Sequence, residues 1–93
     1  MHVRDRPHRQ PGVEIHFVED GCVVWVPTTD QVHFLNETAM HILELCDGTL
    51  EVGELQAEFG DPSEIGFDVA AILRQFEAAS IVTLVAPSVP EQP

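Results

Sequence analysis

The stretch Gln31-Val32-His33-Phe34-Leu35-Asn36-Glu37-Thr38-Ala39-Met40-His41-Ile42-Leu43-Glu44-Leu45-Cys46-Asp47-Gly48 decides the fold, because the apolar period changes within it. Residues 31–35 alternate, the period of a short, half-buried strand. From Asn36 the period becomes helical. Asn36 is a good N-cap, Glu37 suits the positive end of a helix dipole, and Gly48 suits the position just past the end. Between them Ala39, Ile42, Leu43, Leu45 and Cys46 make one apolar stripe, which predicts a first helix over about 37–46.

Upstream, Val13-Glu14-Ile15-His16-Phe17-Val18 also alternates, and Glu19-Asp20-Gly21 has the chemistry of a turn. Cys22-Val23-Val24-Trp25-Val26 is rich in β-branched and aromatic residues, and Pro27 closes it. These two segments read as a hairpin. Thr28-Thr29-Asp30 then turns into the strand at 31–35, giving a three-stranded antiparallel meander. Downstream, a second helix is expected over about 52–59, with Val52, Leu55 and Phe59 inward and Gly60 as its stop. Its cap position holds Glu51, a poor capping residue, so that helix is expected to start loosely or to lean on Thr49. Asp61-Pro62-Ser63-Glu64 is a cap, a first-turn proline and a capping-box acid. It opens a third helix expected to run unbroken to about Ala79, after which Ile81–Val85 can add an extended segment. The fold class is α+β: a three-stranded antiparallel sheet followed by three helices, a small domain like a winged helix-turn-helix. Residues 1–12 mix Arg, His, Pro and Gly without periodicity and read as a flexible arm. Residues 13–85 form the domain, and 86–93, with three prolines, read as a disordered tail.

Charge narrows the function. The 93 residues carry 16 acids against four Arg and no Lys, a net charge of −12. Three of the Arg lie in the arm, so a body holding Arg74 as its one base repels phosphate backbones, and no nucleic-acid partner is expected. There is no membrane-length apolar run and no signal-like start, so no membrane partner is expected and the expected location is cytoplasmic. Cys22 and Cys46 lie in apolar contexts, which favours buried free thiols over a disulfide.

Chemistry-bearing patterns are absent. Glu44, Glu54, Glu58 and Glu77 fall on solvated helical faces. The five histidines show no metal-ligand spacing, and no glycine-rich loop precedes a phosphate-binding Lys or Thr. No catalytic residue, metal or cofactor is expected, and the chain reads as a binding module rather than an enzyme.

The run from Val32 to Thr49, with Leu35-Asn36, Thr38-Ala39 and Ile42-Leu43-Glu44-Leu45-Cys46-Asp47-Gly48, followed by Glu54-Leu55, resembles the hallmark of the PqqD-like family. The resemblance covers roughly 13–84, and its specific part is 32–59. Glu51 departs from it, since the family usually has Ser or Thr there. The resemblance implies a winged-helix-like RiPP recognition element, a peptide chaperone. Such a module binds the leader segment of a ribosomally made precursor peptide and presents it to a modifying enzyme such as a radical SAM maturase, a peptidase or a cyclase. It also implies where: the leader adds to the third strand and lies between that strand and the third helix. On this sequence the strand contributes Gln31, Val32, His33, Phe34 and Leu35. The helix contributes Phe67, Asp68, Ala71, Ile72 and Gln75. Ile72 belongs to the core stripe with Ile65, Val69, Leu73 and Phe76. Phe67, Asp68, Ala71 and Gln75 share with Ala78 a neighbouring sector where small and apolar residues stand in place of charges. The competing functions are a winged-helix transcriptional regulator and a protein–protein assembly subunit. A monomer is expected, with a self-paired dimer as the alternative.

Overall fold

The computed structural model describes residues 1–86. Its elements are β1 (Arg6–Arg9), β2 (Glu14–Val18), β3 (Gly21–Val26), β4 (Gln31–Asn36), α1 (Glu37–Glu44), α2 (Val52–Phe59), α3 (Pro62–Ile65), α4 (Val69–Ala78) and β5 (Val82–Val85). The fold is α+β, with the antiparallel meander β2-β3-β4 leading into the helices. Strand β3 lies at the centre of that sheet, pairing Glu14↔Trp25 through Val18↔Gly21 on one side and Gly21↔Asn36 through Val26↔Gln31 on the other.

Alternation along β3 sends Cys22, Val24 and Val26 into the core, where Ile42 and Leu43 of α1, Leu55 of α2 and Leu73 of α4 meet them. Gly21 faces β4 closely. A Cβ there would collide with the Leu35 carbonyl oxygen, so only glycine lets β3 and β4 close at this end. The N-cap read from sequence is present: the Asn36 side chain accepts from the Ala39 amide at 2.9 Å.

Two expectations need correction. The first concerns the arm. Residues 6–9 are a strand rather than part of a flexible segment, pairing Arg6↔Val85 through Arg9↔Val82 with β5, and Pro7 is fully buried. The other side of β1 is occupied as well: the Arg9 amide donates to the Cys46 carbonyl, and the Gly48 amide donates to the Pro7 carbonyl, both at 3.0 Å. Further back, the carbonyls of Asp5 and Val3 accept from Val52 and Gly53 at 2.8 Å. The first amides of α2, which a helix leaves without partners, are thus capped by main chain from the arm. Glu51 contributes its amide to Glu54 Oε1 at 2.9 Å, and Thr49 turns instead to Asp47. Arg9 also donates from Nη1 to the last carbonyls of α1, Leu43 and Glu44, at 3.1 Å each, where the helix dipole favours a cation.

The second correction concerns the third helix, which is two helices. Gly66 adopts the left-handed conformation at φ 81° and ends α3, and Asp68 starts α4 by accepting from the Ala70 amide at 2.9 Å. A stop signal and a start signal, two residues apart, break the 62–79 run. The tail expected over 86–93 lies, apart from Ala86, outside the described residues.

Candidate functional site

Strand β4 pairs on one side with β3 and, among the described residues, with nothing on the other. The orientation of its free groups follows from one contact. The Leu35 carbonyl is turned toward Gly21 of β3, so successive carbonyls along β4 alternate between β3 and the outside. Gln31, His33 and Leu35 bond inward, and the N–H and C=O groups of Val32 and Phe34 face outward. Four unpaired main-chain groups in a row are a template for another strand.

Side chains alternate with the same period but between the two faces of the sheet. The register places His33 in one row with Ile15 and Val24, and Leu35 with Phe17 and Cys22, on the face that carries the core. Val32 lies in the row Glu14–Trp25–Val32, and Phe34 in the row His16–Val23–Phe34, on the opposite face. Both are largely bare, at 63% and 61% exposure. The Trp25 ring nitrogen donates to Asp30 Oδ1 at 3.4 Å, which anchors the indole on that face.

Beside the end of β4 an open cleft of about 310 Å³ runs between the strand, the first turn of α1 and one side of α4. Phe34, Leu35 and Asn36 form one bank and Ile72, Gln75 and Phe76 the other, with Thr38 and Ala39 at one end and Phe67 closing in from the α3–α4 connection. Phe67 is held by an edge-to-face chain. His41 meets Phe59 at 5.4 Å between centroids, and Phe59 meets Phe67 at 5.7 Å. The helix break therefore serves the cleft, because residues 66–68 leave helical geometry and Phe67 drops against Phe59.

The ten residues expected at the site separate accordingly. Phe34, Leu35, Phe67, Ile72 and Gln75 line the cleft. Gln31, Val32 and His33 lie farther up the same strand, and Asp68 is committed to capping α4. Ala71, half-buried on α4, is not in the lining. Sequence reasoning missed Asn36, Thr38, Ala39 and Phe76. Phe76 carried only a core signal, and Asn36 only a capping one. Thr38 and Ala39 enter through the turn from strand to helix, which no periodicity reports. One further polar atom draws notice: His33 Nε2 is buried with no hydrogen-bond partner among the described residues.

Among the described residues no group of three or more His, Cys, Asp or Glu could hold a metal ion. Both cysteines are free and buried. Burial pushes the Cys46 thiol up to about 12, Arg9 opposing and Asp47 adding to it, and its Sγ donates to the Ile42 carbonyl at 3.2 Å. Burial, followed by the charge of Glu44, raises Cys22 too. A nucleophile needs a thiolate, and these sites oppose one.

Residues 21–82 match the family model described as Coenzyme PQQ synthesis protein D (PqqD). The chain belongs to the PqqD family. This is a peptide-binding, chaperone-type family of coenzyme PQQ biosynthesis, made of non-catalytic accessory proteins that act with a precursor peptide and a radical SAM enzyme. No curated protein and no solved structure matches the chain. The part of this PqqD-family chain inside the match runs from β3 to the first residue of β5, so it takes in the open strand and the whole cleft but not β1. Among the described residues no helix is long and apolar enough to cross a membrane.

Proposed function

We propose that this protein binds the leader segment of a ribosomally synthesised precursor peptide as an added strand on β4 and delivers it, in the cytoplasm, to a modifying enzyme. The observation that carries the reading is the row of outward main-chain groups on Val32 and Phe34, standing beside a cleft that is apolar along most of its length. Main-chain pairing supplies affinity without regard to sequence, and side-chain pockets supply the choice of peptide.

The magnitudes suffice. Four added main-chain bonds contribute roughly 0.5–1.5 kcal/mol each, and two or three buried leader side chains about 1.5–3 kcal/mol apiece. Ordering a flexible leader costs about 2–5 kcal/mol, and lost translational and rotational freedom at least about 4 kcal/mol. At the favourable end of these ranges, about 15 kcal/mol gained against about 6 kcal/mol lost, the balance reaches micromolar binding, so the side-chain pockets must fit well. A protein of charge −12 also attracts a leader or an enzyme surface rich in basic residues. Regulation through DNA has weak support, because α4 offers Arg74 as its one cation.

The test is NMR titration with the leader of the precursor peptide encoded beside the gene. Amide signals of 31–36 and 67–76 shift on binding, and Val32→Pro weakens binding at least about tenfold relative to Val32→Ala, because it removes an outward donor. Saturating peptide that moves neither segment refutes the proposal.

A further inference from the structure

We infer that the guest strand is gripped on both faces, so that this protein selects peptides carrying apolar side chains in both alternating phases, flanked by basic residues. The inference rests on the strand-addition reading above. It comes from the register of β4. Residues directly opposite across a sheet share a face. Guest residues opposite His33 and Leu35 therefore project to the core side, where the cleft receives the one opposite Leu35. Those opposite Val32 and Phe34 project to the other face.

Toward the open edge that other face is not a solvated polar surface. Its two cross-strand rows, Glu14–Trp25–Val32 and His16–Val23–Phe34, start on polar residues of β2, become apolar at β3 and end at the open edge on bare Val32 and Phe34. An added strand becomes the next member of each row, beside Val32 in one and Phe34 in the other. Edge strands are commonly blunted with Lys or Pro, and β4 has neither. The same two residues that hold out their main-chain groups also hold out the largest exposed apolar surface of the strand. This coincidence is what assigns the face to a strand bound at that edge. The acids at the two ends of β4, Asp30 and Glu37, in a protein of charge −12 without Lys, set the basic character of the flanks.

The experiment uses two nine-residue synthetic peptides, acetylated and amidated, each with Lys at both ends. One has five consecutive apolar residues at its centre, and the other alternates apolar residues with Ser. The alternating peptide can slide by one residue to satisfy either face but never both. The two-phase peptide is expected to bind the wild type about tenfold more tightly than the alternating one. Val32→Ser, on that face, outside the cleft lining and exposed enough to leave folding intact, should abolish that advantage, with the thermal melt as the folding control. If both peptides bind equally and shift the amides of 31–36, the two-faced grip is wrong while strand addition stands. If neither binds, both fall. A concentration-dependent doubling of mass by light scattering, cancelled by Val32→Ser, would give the face to a second copy and overturn the inference.

Discussion

Strands β1 and β4 look alike on paper in one respect only: each is a short edge. Their sequences suggest opposite fates. Arg6-Pro7-His8-Arg9 shows neither alternation nor apolar bulk, yet it is used on both sides, by β5 and by the loop at Cys46–Gly48. Gln31–Asn36 reads as an ordinary sheet strand, yet among the described residues it is used on one side only. The difference teaches that side-chain pattern reports burial, whereas main-chain saturation is a separate quantity. A polar strand can be locked while an apolar one stays available.

The largest effect should come from breaking the saturated edge. A protein lacking residues 1–10 loses β1, the buried Pro7, the partner of β5 and the cap of α2. Its stability should fall by about 4 kcal/mol or more, out of the roughly 5–15 kcal/mol that a small domain possesses. Equilibrium urea unfolding measures this, and a midpoint equal to that of the intact chain would mean that β1 is ornamental. Gly21→Ala comes next. Its Cβ meets backbone at Leu35 rather than a side chain that could swing aside, so about 3 kcal/mol is expected, with the β3–β4 register disturbed.

Proline substitution then sharpens the contrast itself. Relative to Arg9→Ala, Arg9→Pro removes the donor to the Cys46 carbonyl and should cost about 1–3 kcal/mol. Relative to Val32→Ala, Val32→Pro removes an amide that bonds nothing among the described residues and should cost under about 1 kcal/mol. Equal penalties in parallel thermal melts would erase the distinction between the two edges. The smallest effect is acid-dependent. Hydrogen bonds from the Thr49 hydroxyl and amide hold the Asp47 carboxyl below the ordinary carboxylate range, and Asp47 bridges to His8 in the loop that seals β1. A depressed folded value means stability that is present above the unfolded value and lost as pH falls through the folded one. Thr49→Val should flatten the acid limb of stability against pH and leave the neutral region nearly level. An unchanged limb would place the acid sensitivity elsewhere.

The sheet order and the first two helices were legible because their information is local: a period of two, a cap at Asn36, and a period of 3.6. Strand β1 was not, since its partners are Val82–Val85 and Cys46–Gly48, far along the chain, and nothing in Arg-Pro-His-Arg announces them. The split of the third helix was written in Gly66 and Asp68, but apolar spacing that continues across the break masks it. At the site, β4 could be read directly, and Phe67, Ile72 and Gln75 followed from helical sectors even though Phe67 reaches the cleft from a loop. Ala39 was read only as part of the α1 stripe and Thr38 only within the family run; their place in the cleft was not legible, because the angle at which α1 leaves the sheet is set by packing rather than by any motif. Asp68 lies outside the cleft lining for the reason that conceals the break: a residue counted on a helix face begins a helix.

The two sheltered thiols have a practical corollary. With both sulfurs protonated and out of reach at neutral pH, the native cysteines are silent toward maleimide dyes while the protein stays folded. A single cysteine engineered at an exposed position would then be the one labelled atom in the molecule. Peptide capture could be followed by fluorescence on the natural background, without first stripping sulfur from the core.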